Sequence, residues 1–308
     1  MGNQITPLVS VCVITYNHEE FIEQTIKSFL NQVTDFPFEV VVGEDWSPDR
    51  TREICAKYQR KYPDVLRLLP SVGNKGAARN FVDTFNACRG KYVAICDGDD
   101  YWTDPHKLKK QVDVLEDNPQ YMICSHDVKI EWTDVKKAGG FQAAPDKYDF
   151  LLVLEKHFIP TPSILVRKKA LPEFPGWYFK QQSGDKALAL MATSRGKGIH
   201  LNQNMAFKRK HNGGISQHAH HKDYEQFLKS KLVLYDGINR YTKFKYNNHL
   251  CSKVASNNLY LFLFYLKTGR FKKTGVPLSQ FFKSRPYLLI FKLDRLWPVF
   301  NDLRKAWF

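Results

Sequence analysis

Short apolar runs alternate with stretches of helical periodicity through the first 120 residues of the chain. The apolar runs are rich in β-branched residues, which is typical of strands buried on both faces of a sheet. They predict strands at residues 9–15, 38–43, 65–69 and 91–96. Apolar positions three or four residues apart predict helices at residues 19–31, 51–62, 77–88 and 106–117. This alternation indicates an α/β fold with a mostly parallel sheet flanked by helices.

The pattern is less regular beyond residue 121. It predicts strands at residues 122–132 and 163–167, a loop at 133–147 and a helix at 185–194. After residue 216 the composition changes to long stretches rich in Lys, Tyr, Phe and Leu. We therefore expect one domain at residues 1–217, in two halves of about 1–120 and 121–217, and a mainly helical region at 218–308.

Basic residues are concentrated in that C-terminal region. The whole chain has 46 Lys and Arg against 31 Asp and Glu, a formal net charge of +15. Residues 218–308 hold 17 of the basic and 5 of the acidic residues, so this region alone carries +12. Its partner should therefore be anionic, and membrane phospholipid, acidic glycan and nucleic acid all meet that condition. The 43% apolar and 25% charged residues exclude a collagen-like or wholly disordered chain.

Hydropathy and cysteine spacing favour a cytoplasmic protein without a membrane span. The longest unbroken apolar run, Leu259–Leu266, is far shorter than the roughly 20 residues that a spanning helix needs. The six cysteines are scattered and form no C-x-x-C pair, which indicates a reducing environment.

Acidic clusters stand directly after two of the predicted strands. Glu44-Asp45 follows the second strand and Asp97–Asp100 the fourth, while Thr15-Tyr16-Asn17 follows the first. Ligands of open α/β sheets bind beyond the carboxyl ends of the strands. Three carboxylates within four residues repel one another unless a cation lies among them, and Mg²⁺ and Mn²⁺ prefer such oxygen ligands. The alternative is a solvated Asp/Gly turn, which the second acidic cluster makes less favourable.

The segment Gly73–Asn80 opens a predicted helix and contains Lys75 and Arg79. Both cations are placed to meet a phosphate at the positive end of the helix dipole. The alternative is an ordinary glycine-rich helix start. The chain has neither a G-x-G-x-x-G after its first strand nor a P-loop, so a Rossmann dehydrogenase and a P-loop NTPase both lose their main sequence signal.

Four motifs in order carry a resemblance to a known family. They are VSVCVITYNHEEFIEQTIKSFLNQ, VVGEDWSPDRT, GNKGAARN and GKYVAICDGDDYWTDPHKLKKQVDVLE. Together they resemble family 2 of the inverting nucleotide-sugar glycosyltransferases, which have the Rossmann-related GT-A fold. The resemblance is close over residues 8–132 and weakens towards residue 217. It implies a donor half at about residues 1–120 and an acceptor half at about 121–217.

The resemblance also implies roles for individual residues. Asp45 matches the acidic residue that holds the base, usually uracil, and Arg79 would approach the nucleotide and its diphosphate, near the Lys75 already placed at this helix start. Asp97 and Asp99 match the D-x-D pair, in which Asp99 binds the metal. The remaining residues of the implied nucleotide pocket are Thr15, Tyr16, Asn17 and Gly98. Two departures from the family, Glu44 for Asp and Trp46 for a small residue, indicate a tighter pocket.

Two later segments match family elements. Asp185 lies in Ser-Gly-Asp-Lys at the start of a predicted helix, where the family has its catalytic base, although Asp also serves as an ordinary helix N-cap. Lys208-Arg209-Lys210-His211 resembles a Tyr-Arg-x-His element, with Lys208 in place of Tyr. The resemblance places Arg209 near the diphosphate and makes His211 a metal ligand beside Asp99.

These features predict a metal-dependent inverting glycosyltransferase that uses Mn²⁺ or Mg²⁺. It would transfer a hexosyl or N-acetylhexosaminyl group from a nucleotide sugar, most simply a UDP-sugar, to a hydroxyl of a lipid-linked cell-surface saccharide. One alternative is a non-catalytic, membrane-associated nucleotide-sugar binding or scaffold protein of the same fold. Another is a nucleotidyltransferase, although the basic glycine-rich loop expected after its first strand is absent.

The C-terminal region interleaves aromatic and basic residues, as in YLFLFYLKTGRFKK. This combination suits the headgroup layer of an anionic bilayer, so we expect peripheral attachment at the inner face of the cell membrane. The alternative is a helical subdomain that packs on the catalytic domain. Nucleic acid is disfavoured as a partner because no recognised nucleic-acid-binding motif is present.

Overall fold

The computed structural model describes residues 6–133, 143–156, 158–211, 213–214 and 224–284. The chain divides into two compact units, residues 1–179 with 184–214, and residues 180–183 with 215–308. The predicted boundary near residue 217, most of the predicted loop at 133–147, and the predicted basic and aromatic segments beyond residue 284 lie outside the described residues.

In the described part of the first unit, nine strands form one sheet in the order β3–β2–β1–β4–β8–β6–β9–β5, with β7 paired to β9. The strands are β1 (Val9–Thr15), β2 (Phe38–Glu44), β3 (Leu66–Leu68), β4 (Tyr92–Asp97), β5 (Tyr101–Trp102), β6 (Tyr121–Trp132), β7 (Lys147–Tyr148), β8 (Leu165–Arg167) and β9 (Lys197–Lys210). The predicted α/β class is confirmed. Strands β3, β2, β1 and β4 are parallel, and the sheet becomes mixed where β8 runs antiparallel to β4.

Helices connect the parallel strands, as the sequence periodicity predicts. Those of the first unit are α1 (Ile22–Leu30), α2 (Thr51–Lys61), α3 (Ala77–Ala87), α4 (Lys107–Asp117), α5 (Phe150–Glu155) and α6 (Gly184–Thr193). The main core joins the Val residues of β1 and β2 to one face of α1, where Ile22, Ile26 and Phe29 are fully buried. Burial on both faces explains why these strands read as continuous apolar runs.

Gly43 lets α3 pack directly on β2. A Cβ atom at this position would lie 1.9 Å from Thr84 Oγ1 and 2.7 Å from Asn80 Oδ1, distances that real side chains do not tolerate. The contact is also tied by a hydrogen bond, because the Asn80 side-chain amide donates to the Gly43 carbonyl at 2.6 Å. Residue 43 therefore sets the distance between this helix and the sheet.

We expect Gly43→Ala to lower the unfolding midpoint of the chain by several degrees. The added methyl overpacks the interface between α3 and β2, which typically costs about 1–3 kcal/mol. Thermal unfolding followed by circular dichroism measures the effect. Gly73→Ala is the matched control, since a Cβ atom there has nothing within 4 Å. Equal midpoints for the two variants would contradict this account of the packing.

Lys107 at the start of α4 is fully buried. Its ammonium group donates to Gln111 Oε1 at 2.7 Å and lies 4.0 Å from the centroid of the Trp102 ring. Burial lowers the pKa of Lys107 to about 7. At neutral pH the protonated and the neutral form of this buried amine are therefore present in similar amounts.

The described part of the second unit consists of three helices, α7 (Tyr224–Tyr241), α8 (Asn247–Lys267) and α9 (Gly275–Ser284). Leu228 of α7 packs with Leu261 and Tyr265 of α8. Glu225 accepts hydrogen bonds from the Tyr265 hydroxyl at 2.9 Å and from Lys229 at 2.6 Å. The hydrogen bond from Lys229 is the main reason why the pKa of Glu225 falls to about 2. Among the described residues, no helix has the length and apolar character needed to cross a bilayer.

Candidate active site

The carboxyl ends of three neighbouring strands meet at one edge of the sheet. Thr15 at the end of β1 is paired in register with Glu44 of β2, and Ile14 with Asp97 of β4. The turns that follow these strands therefore lie side by side, although they are about 30 and 80 residues apart in the sequence. This is the juxtaposition that the acidic clusters predict.

The turn Asp97–Asp100 is held tightly against β1 and α1. A Cβ atom on Gly98 would lie 2.4 Å from Thr15 Oγ1, so a glycine is needed for this approach. The Thr25 hydroxyl of α1 lies 2.9 Å from the Gly98 carbonyl and 2.7 Å from the Asp100 carbonyl. The backbone of the turn is thus fixed before any ligand is bound.

Two histidines meet one carboxylate of this turn. The Nε2 atom of His211, which follows β9, lies 3.0 Å from Asp99 Oδ2, and the Nε2 atom of His18 lies 3.9 Å from the same oxygen. One ligand atom of each of the three residues lies within 4.8 Å of the others, a spacing that suits a divalent cation. Sequence reasoning predicted Asp99 and His211 as metal ligands but missed His18, whose His-Glu-Glu context gives no signal of its own.

Asp97 and Asp100 complete a second candidate metal group with Asp99. Burial raises the pKa of Asp97 to about 6 and that of Asp100 well above its usual range. Burial also acts on Asp99, but the hydrogen bond from His211 and the charges of His18 and Lys208 hold its pKa below the usual range. Asp99 is therefore the carboxylate most readily ionised for a cation.

The residues present fit a divalent cation. Asp100 Oδ1 accepts a hydrogen bond from the Arg209 backbone at 2.9 Å, whereas its buried Oδ2 has no partner among the described residues. An orphaned carboxylate oxygen costs free energy unless a cation or water satisfies it. Three carboxylates and two imidazoles are oxygen and nitrogen ligands that Mn²⁺ accepts and that Mg²⁺ accepts in part.

Lys208 of β9 supplies positive charge to the acidic turn. Burial alone would lower the pKa of Lys208, but the charges of Asp100, Asp97, Asp185 and Asp99 outweigh it and raise the pKa above the usual range. Its ammonium group lies 3.4 Å from Thr161 Oγ1. The sequence shows this residue only as a departure from a family Tyr, so its role as a countercharge was not predicted.

Arg209 braces the turn from behind. Its guanidinium donates to the Asp99 carbonyl at 2.7 Å and to the Glu131 carboxylate at 3.1 Å, and its Nη2 group contacts the side chain of Gln24. The guanidinium also lies 4.4 Å from the centroid of the Tyr101 ring. With its donors engaged in this way, Arg209 positions the turn. The predicted contact of Arg209 with a diphosphate stays a prediction.

Asp185 lies in the first turn of α6, and its charge reaches the same site. Its carboxylate accepts a hydrogen bond from the Lys186 backbone at 2.7 Å, as expected near a helix N-terminus. Its negative charge also contributes to the raised pKa values of Asp97 and Lys208. Asp185 is therefore close enough for its charge to act on the D-x-D turn, and its predicted role as the catalytic base stays a prediction.

Asp45 fastens the glycine-rich loop. Its two carboxylate oxygens accept hydrogen bonds at 2.9 Å from the backbone amides of Lys75 and Gly76. The Lys75 ammonium pairs with Asp83 at 2.7 Å, so it is directed along α3. The guanidinium of Arg79 lies 4.6 Å from the centroid of the Phe179 ring. Thus both oxygens of Asp45 hold the loop and the Lys75 ammonium is paired, while the predicted contact of Asp45 with a base stays a prediction.

Thr15, Tyr16 and Asn17 end β1 as a bent segment. Thr15 is buried and its hydroxyl lies 3.2 Å from His18 Nδ1. Tyr16 is exposed, and Asn17 has a left-handed backbone with φ of 57°. The Asn17 amide donates to Ser47 Oγ at 3.0 Å, which ties this segment to the turn after β2.

A cavity of about 370 Å³ lies far from the acidic turn, where β4 begins and β8 ends. Three of its lining cations already have partners. Arg167 donates to the Tyr121 carbonyl at 2.9 Å and to the Leu115 carbonyl, Lys168 donates to the Cys88 carbonyl, and Lys91 pairs with Glu116. Arg167 and Lys168 thereby cap the C-terminal ends of α4 and α3. We assign this cavity a structural role, because its cations stabilise helix ends.

A family model described as "Glycosyl transferase family 2" matches residues 10–174, more than half of the chain. The chain belongs to glycosyltransferase family 2. The predicted resemblance is thereby confirmed, and the matched residues include the turns after β1, β2 and β4.

Several family 2 relatives share most of this domain. A protein of Mycobacterium tuberculosis strain H37Rv, named Rv1520 and described as uncharacterized, is 34% identical over 225 residues, which cover 72% of this chain and 64% of that protein. The dTDP-rhamnosyl transferase RfbG of Shigella flexneri is 28% identical over 184 residues, covering 57% of this chain and 61% of that protein. The chain thus spans slightly less than two thirds of the length of these relatives.

Solved structures confirm the GT-A fold of this member of family 2. S. aureus TarS 1–349 in complex with UDP is 18% identical with a TM-score of 0.66, over 97% of this chain and 87% of that chain. The Pyrobaculum calidifontis mannosyltransferase PcManGT in complex with GDP-Man and Mn²⁺ is 15% identical with a TM-score of 0.55, over 97% and 85% of the two chains. One of these neighbours was thus solved with a nucleoside diphosphate, and the other with a nucleotide sugar and a metal.

We expect Asp99→Asn to weaken Mn²⁺ binding by about tenfold or more, because the substitution removes the most readily ionised oxygen ligand of the cluster. Electron paramagnetic resonance of free Mn²⁺ measures this affinity. Asp113→Asn on the exposed face of α4 is the control, since its carboxylate pairs with Lys109. Equal Mn²⁺ affinity in the two variants would show that the cation binds elsewhere.

Proposed function

We propose that this glycosyltransferase is metal-dependent and inverting, and that it transfers a hexosyl or N-acetylhexosaminyl group. The donor would be a nucleoside-diphosphate sugar, with UDP-sugars first, and the acceptor a hydroxyl of a lipid-linked cell-surface saccharide. The observation that carries the proposal is the meeting of three groups at one sheet edge. These are the Asp99, His211 and His18 cluster, the countercharge of Lys208, and the carboxylate of Asp185.

The metal would be held by Asp99 with His211, His18 and the neighbouring carboxylates. When bound, a divalent cation supplies Lewis-acid neutralisation of the charge on a diphosphate leaving group. Arg209 keeps the turn in place through the Asp99 carbonyl. Lys208 lowers the cost of holding several carboxylates together, so that they remain available as ligands.

Asp185 would act as the general base on the acceptor. It removes the proton of the acceptor hydroxyl while the hydroxyl oxygen attacks the anomeric carbon and the bond from that carbon to the diphosphate oxygen breaks. The new glycosidic bond forms on the face opposite the departing nucleoside diphosphate, which inverts the anomeric centre. General-base assistance of this kind typically contributes about 10²–10⁴-fold in rate.

The preference for UDP rests on Asp45 and on the fold neighbours. A carboxylate at the base pocket accepts the N–H of an imide such as uracil, and TarS, the neighbour with the TM-score of 0.66, was solved with UDP. Thymine has the same imide, and guanine also presents N–H groups. Since RfbG is named a dTDP-rhamnosyl transferase and PcManGT was solved with GDP-Man, dTDP and GDP are the competing donor nucleotides.

The first experiment is calorimetric titration of UDP, with and without Mn²⁺, into the wild type and Asp99→Ala. Binding that depends on Mn²⁺ and is lost in the variant supports the proposed donor site. UDP-sugars would then be screened for turnover through UDP release. If neither UDP, dTDP nor GDP binds the wild type, the proposed donor site is wrong. The scaffold alternative is then favoured only if the wild-type protein binds another ligand.

We expect Asp185→Asn to reduce turnover by about 10²–10⁴-fold while the affinity for UDP changes less than about threefold, because the base acts on the acceptor. Asp149→Asn is the matched control, since Asp149 caps α5 through the Leu152 amide at 2.9 Å. A merely structural role for Asp185 would give two variants with similarly small losses of activity, accompanied by lower unfolding midpoints.

We also propose that residues 218–308 attach the enzyme to an anionic membrane surface, at the inner face of the cell membrane. The turn between α8 and α9 supports this proposal. Phe271 on this turn and Val276 in the first turn of α9 are 59% and 72% exposed. Lys267 and Lys272 are exposed beside them, whereas Arg270 is paired with Glu225. Exposed apolar side chains next to cations suit the headgroup layer.

We expect the full chain to sediment with vesicles that contain about 30% phosphatidylglycerol and not with pure phosphatidylcholine vesicles. Each basic residue gains about 1 kcal/mol at an anionic surface, and this gain is absent at a surface without net charge. The double variant Phe271→Ser, Lys272→Glu should reduce this binding severalfold. Val72→Ser, which removes an exposed apolar side chain of the first unit, is the control. Unchanged binding of the double variant would exclude the turn as the contact.

A further inference from the structure

Trp46, in the turn after β2, has an unusual backbone for its residue type. Its φ is 63°, in the left-handed region that costs little for Gly or Asn and is unfavourable for a bulky side chain. Strain of this kind persists only where neighbouring contacts impose it, and it is concentrated at functional sites. The residue therefore calls for an explanation beyond the folding of the turn.

The contacts on both sides of Trp46 impose this backbone. The Asp45 amide donates to the Thr15 carbonyl at 3.0 Å. The Ser47 amide donates to Glu44 Oε1 at 2.6 Å, and Ser47 Oγ accepts from the Asn17 amide at 3.0 Å. The turn is thus closed around residue 46, and a Gly or Asn would satisfy the same bonds without strain.

The side chain of Trp46 is 53% exposed, so about half of the indole surface stays open to a ligand. Among the described residues of the first unit, Tyr16 and Trp46 are the exposed aromatic side chains. Both stand just beyond the carboxyl ends of adjacent parallel strands, and Trp46 directly follows Asp45 in the turn after β2. Exposed aromatic rings beside a buried carboxylate suit a planar ligand with N–H donors on its edge.

We infer that Trp46 is a stacking surface for the nucleobase of the donor nucleotide. This inference rests on the proposed function and adds a residue that sets donor affinity. In this arrangement Asp45 accepts from the edge of the base, and Trp46 covers an aromatic face. Because every base has such a face, Trp46 contributes affinity, while the choice among bases is left to Asp45. The strained backbone is the structural cost of placing an indole ring at this position.

The inference makes stability and binding change in opposite directions. Trp46→Gly removes the strain and should raise the unfolding midpoint by about 2–4 °C. The same change should weaken UDP binding by about tenfold, in the range typical for loss of a stacking side chain. Trp46→Phe keeps an aromatic face and the strain, so it should bind UDP within about threefold of the wild type.

Phe244, in the turn between α7 and α8, is a matched control for the strain. It too is an exposed aromatic residue, 59% accessible, with a left-handed backbone at φ 62°. Phe244→Gly should raise the unfolding midpoint as Trp46→Gly does but leave UDP affinity unchanged. The measurements are calorimetric titration of UDP in the presence of Mn²⁺ and differential scanning fluorimetry on all four proteins.

The outcomes separate this inference from the proposed function. If the wild type binds UDP and Trp46→Gly binds it equally well, the inference is wrong and the proposed function stands. Weaker binding with a lower unfolding midpoint in Trp46→Gly would also overturn it, because the ring would then be part of the fold. If the wild type binds neither UDP, dTDP nor GDP, both the inference and the proposed donor site fail.

Discussion

Mutual repulsion among carboxylates is the constraint around which the acidic edge of the sheet is organised. Asp97, Asp99 and Asp100 come from one turn, and the charge of Asp185 arrives from α6. Lys208 on β9 is the cation that lies within reach of all four charges. Strand β9 therefore does more than extend the sheet, because its position decides whether the acidic turn is tolerable without a metal. The turn, α6 and β9 must be in place together for the site to exist.

The parallel half of the sheet was predictable because its signals are local. Strands β1, β2 and β4 are buried on both faces and read as apolar runs, and the residues that follow each strand carry the chemistry. Strand β9 gave no such signal, because Lys197–Lys210 is largely polar and only five of its 14 residues are buried. Strands β5 and β7 have two residues each, which is too short for any periodicity.

The candidate metal ligands could be predicted from the sequence only where they lie in a recognised motif. Asp99 and His211 are named by the family resemblance, and the structure places them in contact. His18 enters the same cluster because it lies in the connection between β1 and α1, a consequence of topology that its neighbours in the sequence do not reveal. For Lys75 and Arg209 the sequence predicted a contact with phosphate but could not show their other partners. In the structure, Lys75 pairs with Asp83 and Arg209 with Glu131.

The buried amine of Lys107 links folding to the uptake and release of protons. In the unfolded chain such an amine keeps its proton up to a pH of about 10, whereas in the folded chain burial moves this pKa to about 7. Between these values the unfolded state binds more protons, so the native state gains stability as the pH rises. Folding at mildly alkaline pH therefore releases a proton from the protein interior, and at an acidic pH the folded chain would lose part of that stabilisation.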